Sequence, residues 1–291
     1  MKSKLNQMIL LLAFITSQAL HAQQFSKDEL RQIFSGKDTT IVLEEKISIK
    51  SYDFLRDGLN TEALLFKPDI EGKSPAIIMI PGFDRTAVDY IPTGLIFARA
   101  GYACIAITQP GFGRSDGKRD WVGPGTLKAM EAGYDKLKKE SFVDESRIGL
   151  FGFSRGALAA SLLAAGRIEV KAAVFASGLY DFQKAYDATR LEGIRENMRA
   201  ETGMTDEAIR ERSSVLAMDK LVYPVLILHG EEDVNAPVEQ AQLLAKKLDE
   251  LNHSYEIEIY KNAKHSLGGT NYMQRCVEFF NKWLKDSDHS E

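Results

Sequence analysis

From Ser74 onward the chain is punctuated by short, almost uninterrupted apolar runs: "PAIIMI", "YACIAIT", "RIGLFGF", "KAAVFAS" and "YPVLILHG". Strands with one wet face alternate apolar and polar residues. Continuous runs read instead as strands buried on both faces, as in a parallel sheet covered by helices. Stretches with helical character separate most of them, at about 88–100, 125–140 and 155–165, and recur at 238–252 and 271–285. "YEIEIYKN" between the last two reads as a final strand. The alternation predicts one doubly wound, mostly parallel α/β domain over residues 23–291.

Two segments depart from that rhythm. Before Ser74, "TIVLEEKISIKS" and "TEALLFKP" alternate like a hairpin at a sheet edge. "FSKDEL" ahead of them sets Ser26 and Glu29 in capping-box spacing, which predicts a short helix to about Ser35. Between the strand ending near Ser177 and the one starting at Pro224 lies a long stretch rich in charge and helix formers. A single crossover helix does not need that length, so a helical insertion over one end of the sheet is expected at about 180–222.

The amino terminus has a different character. Lys2 and Lys4 precede an apolar stretch from Met8 to Ala19, and Ala22 offers a small residue for cleavage. This predicts an export signal over 1–22 and a periplasmic or secreted mature protein. The run is too short for a span of about 20 residues and is diluted by Thr16, Ser17 and Gln18, so stable membrane insertion is not expected. Losing Lys2 and Lys4 takes the formal charge from −4 to −6. An acidic chain without basic clusters argues against nucleic acid or an anionic membrane as partner. Cys104 falls in a strand and Cys276 in a helix, both suited to buried free thiols, and two cysteines make no disulfide framework.

The candidate chemistry starts with two matches to G-x-S-x-G: Gly152-Phe-Ser-Arg-Gly156 and Gly113-Arg-Ser-Asp-Gly117. A nucleophile elbow needs a strand feeding a tight turn and a helix leaving it at once. Ser154 follows the strand "RIGLF" and precedes "ALAASLLAA", whose alanines let a helix approach the sheet closely. That helix also aims its N-terminal amides where negative charge would develop. Ser115 is separated from its strand by six residues and followed by "DGKRDWVGPG", full of breakers, so it reads as a polar residue of a structural loop. Those glycines lack dinucleotide spacing as well.

A serine hydroxyl needs a base, usually a histidine oriented by a carboxylate. After the signal, the histidines are His229, His253, His265 and His289. His289 lies in the tail, His253 in a polar turn, and His229 ends a strand as a packed neighbour of the site. His265 follows the last strand, in a loop that opens at the end of the sheet where ligands meet α/β folds. "HGEEDVNAP" offers Glu231, Glu232 and Asp233, of which Asp233 lies deepest in its loop. The chain order is then Ser154, Asp233, His265.

Residues 60–286 resemble the α/β-hydrolase superfamily, especially its dienelactone-hydrolase-like and prolyl-oligopeptidase (S9) catalytic branches. The likeness is carried by "FVDESRIGLFGFSRG", "YPVLILHGEEDVNAP" and "KNAKHSL", and "PGFGRSDG" is similar to the loop after the fourth strand of those enzymes. The resemblance implies an oxyanion hole from the backbone N–H groups of Arg155 and Phe83, although Pro81-Gly82 stands where a His-Gly pair is common. Gln109 replaces an acidic residue usual in the family. It further implies a serine hydrolase that uses no metal or organic cofactor. The expected substrate is a small or carbohydrate-linked carboxylic ester, with an S9-type peptidase acting on small peptides, or a non-catalytic binding protein of the same fold, as alternatives. Trp121 and the insertion's Tyr180 and Tyr186 are candidate substrate contacts, alongside Phe83 and Phe182, each equally suited to ordinary packing.

Overall fold

The computed structural model describes residues 27–35, 39–43 and 45–285. The segment read as an export signal, the Ser26 cap and His289 lie outside them. The described chain opens with helix α1 (Lys27–Ile33), β1 (Thr40–Val42), β2 (Ser48–Ser51), β3 (Phe54–Arg56), β4 (Leu59–Thr61) and β5 (Ala63–Lys67). Strand–helix alternation follows: β6 (Ser74–Ile80), α2 (Ile91–Arg99), β7 (Ala103–Ile107), α3 (Pro124–Lys138), β8 (Val143–Phe153), α4 (Arg155–Ala164) and β9 (Ala172–Ala176). Helices α5 (Phe182–Ala188), α6 (Glu192–Thr202) and α7 (Asp206–Glu211) come next. The chain then ends with β10 (Val225–Gly230), α8 (Glu239–Glu250), β11 (Tyr255–Tyr260) and α9 (Tyr272–Leu284).

Nine strands form one sheet in the order β1-β2-β5-β7-β6-β8-β9-β10-β11. Pairing from β7 through β11 is parallel, while β1, β2 and β5 join antiparallel at one side. The winding reverses at β6, which lies between β7 and β8. Reversal of this kind opens a crevice at the carboxyl ends of the strands. The chain is thus the expected mostly parallel α/β fold. It differs from expectation at its start, where β3 and β4 form a separate two-stranded hairpin. β5 is buried along Ala63–Phe66 because β7 covers its other edge.

Each central strand splits its side chains between two cores. In β6, Ala76, Ile78 and Ile80 face the cluster under α3, α4 and α8, whereas Ile77 and Met79 face the one under α2 and α9. This is the period-two geometry of a strand, and it explains why the sequence shows no polar alternation there. The second core is rich in aromatics: Phe97 lies 5.7 Å from both Phe151 and Phe280 between ring centroids, edge-on. Each such ring contributes about 1.5–3 kcal/mol by burial. Cys104 and Cys276 are buried free thiols in this core. No described helix is long and apolar enough to cross a membrane.

Between β9 and β10 the helices have their own start signals. Asp181 accepts from the Lys184 amide at 3.0 Å, and Thr205 from the Ala208 amide at 3.2 Å. Phe182, Ala185 and Met198 anchor this segment to the first core.

Candidate active site

Ser154 stands between β8 and α4 with φ 56° and ψ −123°, a strained conformation for a residue with a side chain. The turn closes because its flanks are small. A Cβ on Gly152 would overlap the Gly156 carbonyl, and one on Gly156 the Ile80 carbonyl of β6. The Ser154 amide donates to Ala176 O at 2.8 Å, which ties the turn to the end of β9. The hydroxyl is thereby lifted above the sheet at the start of α4.

His265 and Asp233 come to it from the loops after β11 and β10. Ser154 Oγ lies 2.9 Å from His265 Nε2, and His265 Nδ1 lies 2.7 Å from Asp233 Oδ2. The carboxylate partner fixes the proton on Nδ1, so Nε2 is free to accept from the serine hydroxyl. Asp233 Oδ1 accepts from the amides of Asn235 and Ala236, both at 2.9 Å. Burial alone would raise the Asp233 pKa. Hydrogen bonds from His229 and His265, the His265 charge and the Ala236 amide outweigh it and hold the carboxyl well below the usual carboxylate range. The His265 ring rests edge-on against Phe153, 5.5 Å between centroids.

His229 is fully buried beside this pair. Its Nε2 donates to Ala236 O at 2.7 Å and lies 3.3 Å from Asp233 Oδ2, so it braces the loop that carries the carboxylate. Ser115 sits elsewhere. Its buried hydroxyl donates to Thr108 O and accepts from the Glu62 amide, both at 2.9 Å, which closes a structural loop as expected. Among the described residues no group of His, Cys, Asp and Glu is arranged to hold a metal ion.

A cleft of about 460 Å³ opens over Ser154, with Gly82, Phe83, Trp121, Arg155 and His265 among its walls. Phe83 and Arg155 therefore flank the serine. Arg155 is the first residue of α4, a position whose amide has no acceptor within the helix. Gln109 donates to Pro81 O at 2.7 Å and steadies the turn that carries Phe83, a use for the amide where an acid is usual. Trp121 is almost wholly buried, with its ring 5.6 Å from that of Phe83.

The two tyrosines of the insertion do not line the cleft. Tyr180 is fully buried, with its ring 6.2 Å from Phe175, because the chain turns it down onto the sheet. The Tyr186 hydroxyl instead accepts from Arg199 at 2.8 Å, because its helix presents it to α6. Leu179 and Ile194 take their place in the wall. Arg85, Tyr90, Thr93 and Tyr272, none of which stood out in sequence, also line the cleft. Burial pushes the Tyr90 hydroxyl far above its ordinary pKa and keeps it neutral.

One side chain beneath the cleft is unusual. The Arg155 guanidinium is 1% exposed and lies 3.2 Å from Glu201, which is itself 7% exposed. Burial lowers its pKa to about 10, and Glu201 and Asp120 oppose the fall, so it stays charged at neutral pH.

Comparisons with known proteins agree with this architecture. A sequence model of the prolyl oligopeptidase family, peptidase S9, matches residues 95–288, more than half of the chain. An uncharacterized peptidase, YtmA, of Bacillus subtilis (strain 168) is 28% identical over 240 residues, covering 80% of this chain and 91% of that protein. The Pyrococcus horikoshii acylaminoacyl peptidase superposes with a TM-score of 0.72 at 19% identity, over 84% of this chain and 43% of that one. This chain thus spans less than half the length of that enzyme. Acetyl xylan esterase 1 from Thermoanaerobacterium sp. JW/SL YS485 superposes with a TM-score of 0.66 at 17% identity, over 87% and 90% of the two chains. On the family match and the shared fold, this chain is a serine hydrolase that belongs to the prolyl oligopeptidase family.

Proposed function

We propose that the chain is an exported carboxylesterase that works through a covalent acyl-enzyme on Ser154. The reading is carried by the hydrogen-bonded series from Asp233 through His265 to Ser154. His265 Nε2 takes the hydroxyl proton as Oγ attacks the acyl carbon. The Arg155 and Phe83 amides, with the positive end of α4 behind them, hold the negative oxygen. His265 then gives its proton to the departing alcohol. Water, deprotonated by the same imidazole, attacks the acyl-enzyme and releases the acid. Asp233 keeps the imidazole in its working tautomer and stabilises it when charged.

Ester chemistry is favoured by the likeness to acetyl xylan esterase, which extends over nearly all of both chains. The acylaminoacyl peptidase, by contrast, carries more sequence outside the shared region than inside it. A peptidase acting on short peptides is the second reading, favoured by the likeness to YtmA over most of that protein. Export rests on the charged and apolar pattern of residues 1–22.

Fluorophosphonate labelling tests the site. Wild type and Ser115→Ala are expected to label and Ser154→Ala to remain unlabelled; labelling lost with Ser115→Ala alone would overturn the assignment. Nitrophenyl esters are expected to turn over faster than acylaminoacyl or prolyl nitroanilides. The reverse order gives the peptidase reading.

A further inference from the structure

The helical segment between β9 and β10 touches the candidate site through two charged side chains. Glu201, near the end of α6, accepts the Trp121 amide on Oε2 at 2.7 Å, and the same oxygen lies 3.2 Å from Arg155 Nη1. Arg212, just after α7, donates to Trp121 O at 3.0 Å and to Asp120 O at 2.8 Å. Both peptide groups of Trp121 are therefore held by the insertion. They need holding, because Trp121 and Val122 are consecutive non-glycine residues with φ of 42° and 62°.

The Arg155 guanidinium is enclosed by aromatic faces: Trp121 at 5.0 Å, Phe112 at 5.1 Å and Phe83 at 5.8 Å from its central carbon to each centroid. Glu201 is its one carboxylate partner within 4 Å among the described residues. Two of the residues in this box, Arg155 and Phe83, are the proposed amide donors to the oxyanion, and a third, Trp121, walls the cleft.

We propose that Glu201 is a positioning residue for the oxyanion hole and the Trp121 wall, acting through Arg155 and the Trp121 amide from a helix that contributes nothing to the triad. A buried cation among rings is tolerated only while its counter-charge is present. Remove the charge on Glu201 and the guanidinium must swing out or draw in water. Either movement displaces the Phe83 ring and pulls on the first residue of α4. A tetrahedral oxyanion depends on donors fixed to within tenths of an ångström, so the transition state suffers more than ground-state binding.

This inference rests on the proposed hydrolytic reading, and its test separates the two. Glu201→Gln, Arg155→Met and the double variant are compared with wild type on 4-nitrophenyl acetate, with rates expressed per fluorophosphonate-titrated site. Glu201→Gln is expected to lower kcat per site at least tenfold and to move KM less than twofold. The double variant removes both charges and is expected to recover most of the lost kcat. A purely structural role lowers the thermal midpoint and the titrated fraction but leaves kcat per site unchanged. Wild-type kcat per site in Glu201→Gln, or a double variant as slow as that single one, overturns the inference. Should Glu201→Gln fail to fold, Glu201→Asp keeps the charge but withdraws it by one methylene, and the same kcat criterion applies to it. Wild type that neither labels nor turns over ester defeats the hydrolytic reading instead.

Discussion

Asp233→Asn tests the geometry of the site most directly, because the carboxylate is surrounded by donors. Oδ2 faces His265 Nδ1 at 2.7 Å and His229 Nε2 at 3.3 Å, and Oδ1 faces the amides of Asn235 and Ala236, both at 2.9 Å. Only a carboxylate accepts from both sides; an asparagine must turn its NH₂ toward one of them. With the NH₂ toward the histidines, His265 keeps a bond only by moving its proton to Nε2. It can then no longer accept from Ser154. The corresponding change in trypsin-like proteases lowers kcat about ten-thousand-fold, or roughly 5.5 kcal/mol at 1.36 kcal/mol per decade. With the NH₂ toward the amides, the tautomer survives but two buried N–H groups lose their acceptor, at about 1–3 kcal/mol each. At roughly 2–4 °C per kcal/mol for a domain of this size, the thermal midpoint then falls by at least several degrees.

The two readouts are therefore linked: one orientation destroys turnover and the other destroys stability. The assay is kcat on a nitrophenyl ester together with a calorimetric midpoint on the same preparation. A variant within tenfold of wild-type kcat and within a degree of its midpoint would refute the reasoning outright. No placement of an amide in this cage predicts it.

Three other outcomes follow from particular contacts. Arg114 pairs with Glu62 at 2.9 Å and Asp53 at 3.1 Å, carboxylates that are 3% and 7% exposed, so Arg114→Met leaves two buried charges uncompensated. The expected cost is about 3–5 kcal/mol, or roughly 10 °C in midpoint, with labelling of Ser154 intact in the folded fraction. Gly156→Ala drives a methyl group into the Ile80 carbonyl, and a folded variant that labels like wild type would contradict the elbow geometry. Asp233 has a depressed pKa, so its stabilising contribution is full above the ordinary value of 3.8 and drains only below it. Any midpoint deficit of Asp233→Asn relative to wild type should accordingly not shrink between pH 7 and pH 5; convergence within that window would count against the ionised carboxylate.

Ser154, Asp233 and His265 could be singled out because each lies in the turn or loop that follows a strand of the sheet. Parallel strands end on one side of the sheet, so three loops far apart in sequence must meet there. Phe83 and Arg155 were named only through the family resemblance, and both line the cleft over Ser154. The insertion was not legible beyond its existence. Tyr180 and Tyr186 were candidate substrate contacts equally suited to packing, and which side chain reaches the cleft is decided by tertiary packing, which puts Leu179 and Ile194 there instead. Glu201 and Arg212 belong to a charge-rich stretch whose pattern suggests a solvated face. Their partners, Arg155 at the start of α4 and Trp121 in the loop before α3, are distant in sequence, and no local periodicity reports a pairing of that range. The β3–β4 hairpin escaped notice because three-residue strands carry too few positions to display alternation.

That division between legible and illegible parts corresponds to a division of labour in the molecule. The proposed triad hangs on backbone features internal to the sheet: the crowding at Gly152 and Gly156, the amides capping Asp233, and the bond from Ser154 to the end of β9. None of these involves the insertion. The cleft walls do, since Ile194 comes from α6 and Trp121 is clamped by Glu201 and Arg212. A chain built this way can exchange the helices between β9 and β10 and alter the shape of its cleft while the reacting groups stay in register. The fold alone therefore says little about substrate, and the residues of α6 and α7 say more. The coupling through Arg155 sets a limit on that freedom. Any replacement insertion must still place a carboxylate beside a guanidinium buried among three rings, or the oxyanion donors lose their support. Chains with the same elbow but an uncharged residue after the serine are free of that requirement, and their insertions should carry no buried acid at the position of Glu201.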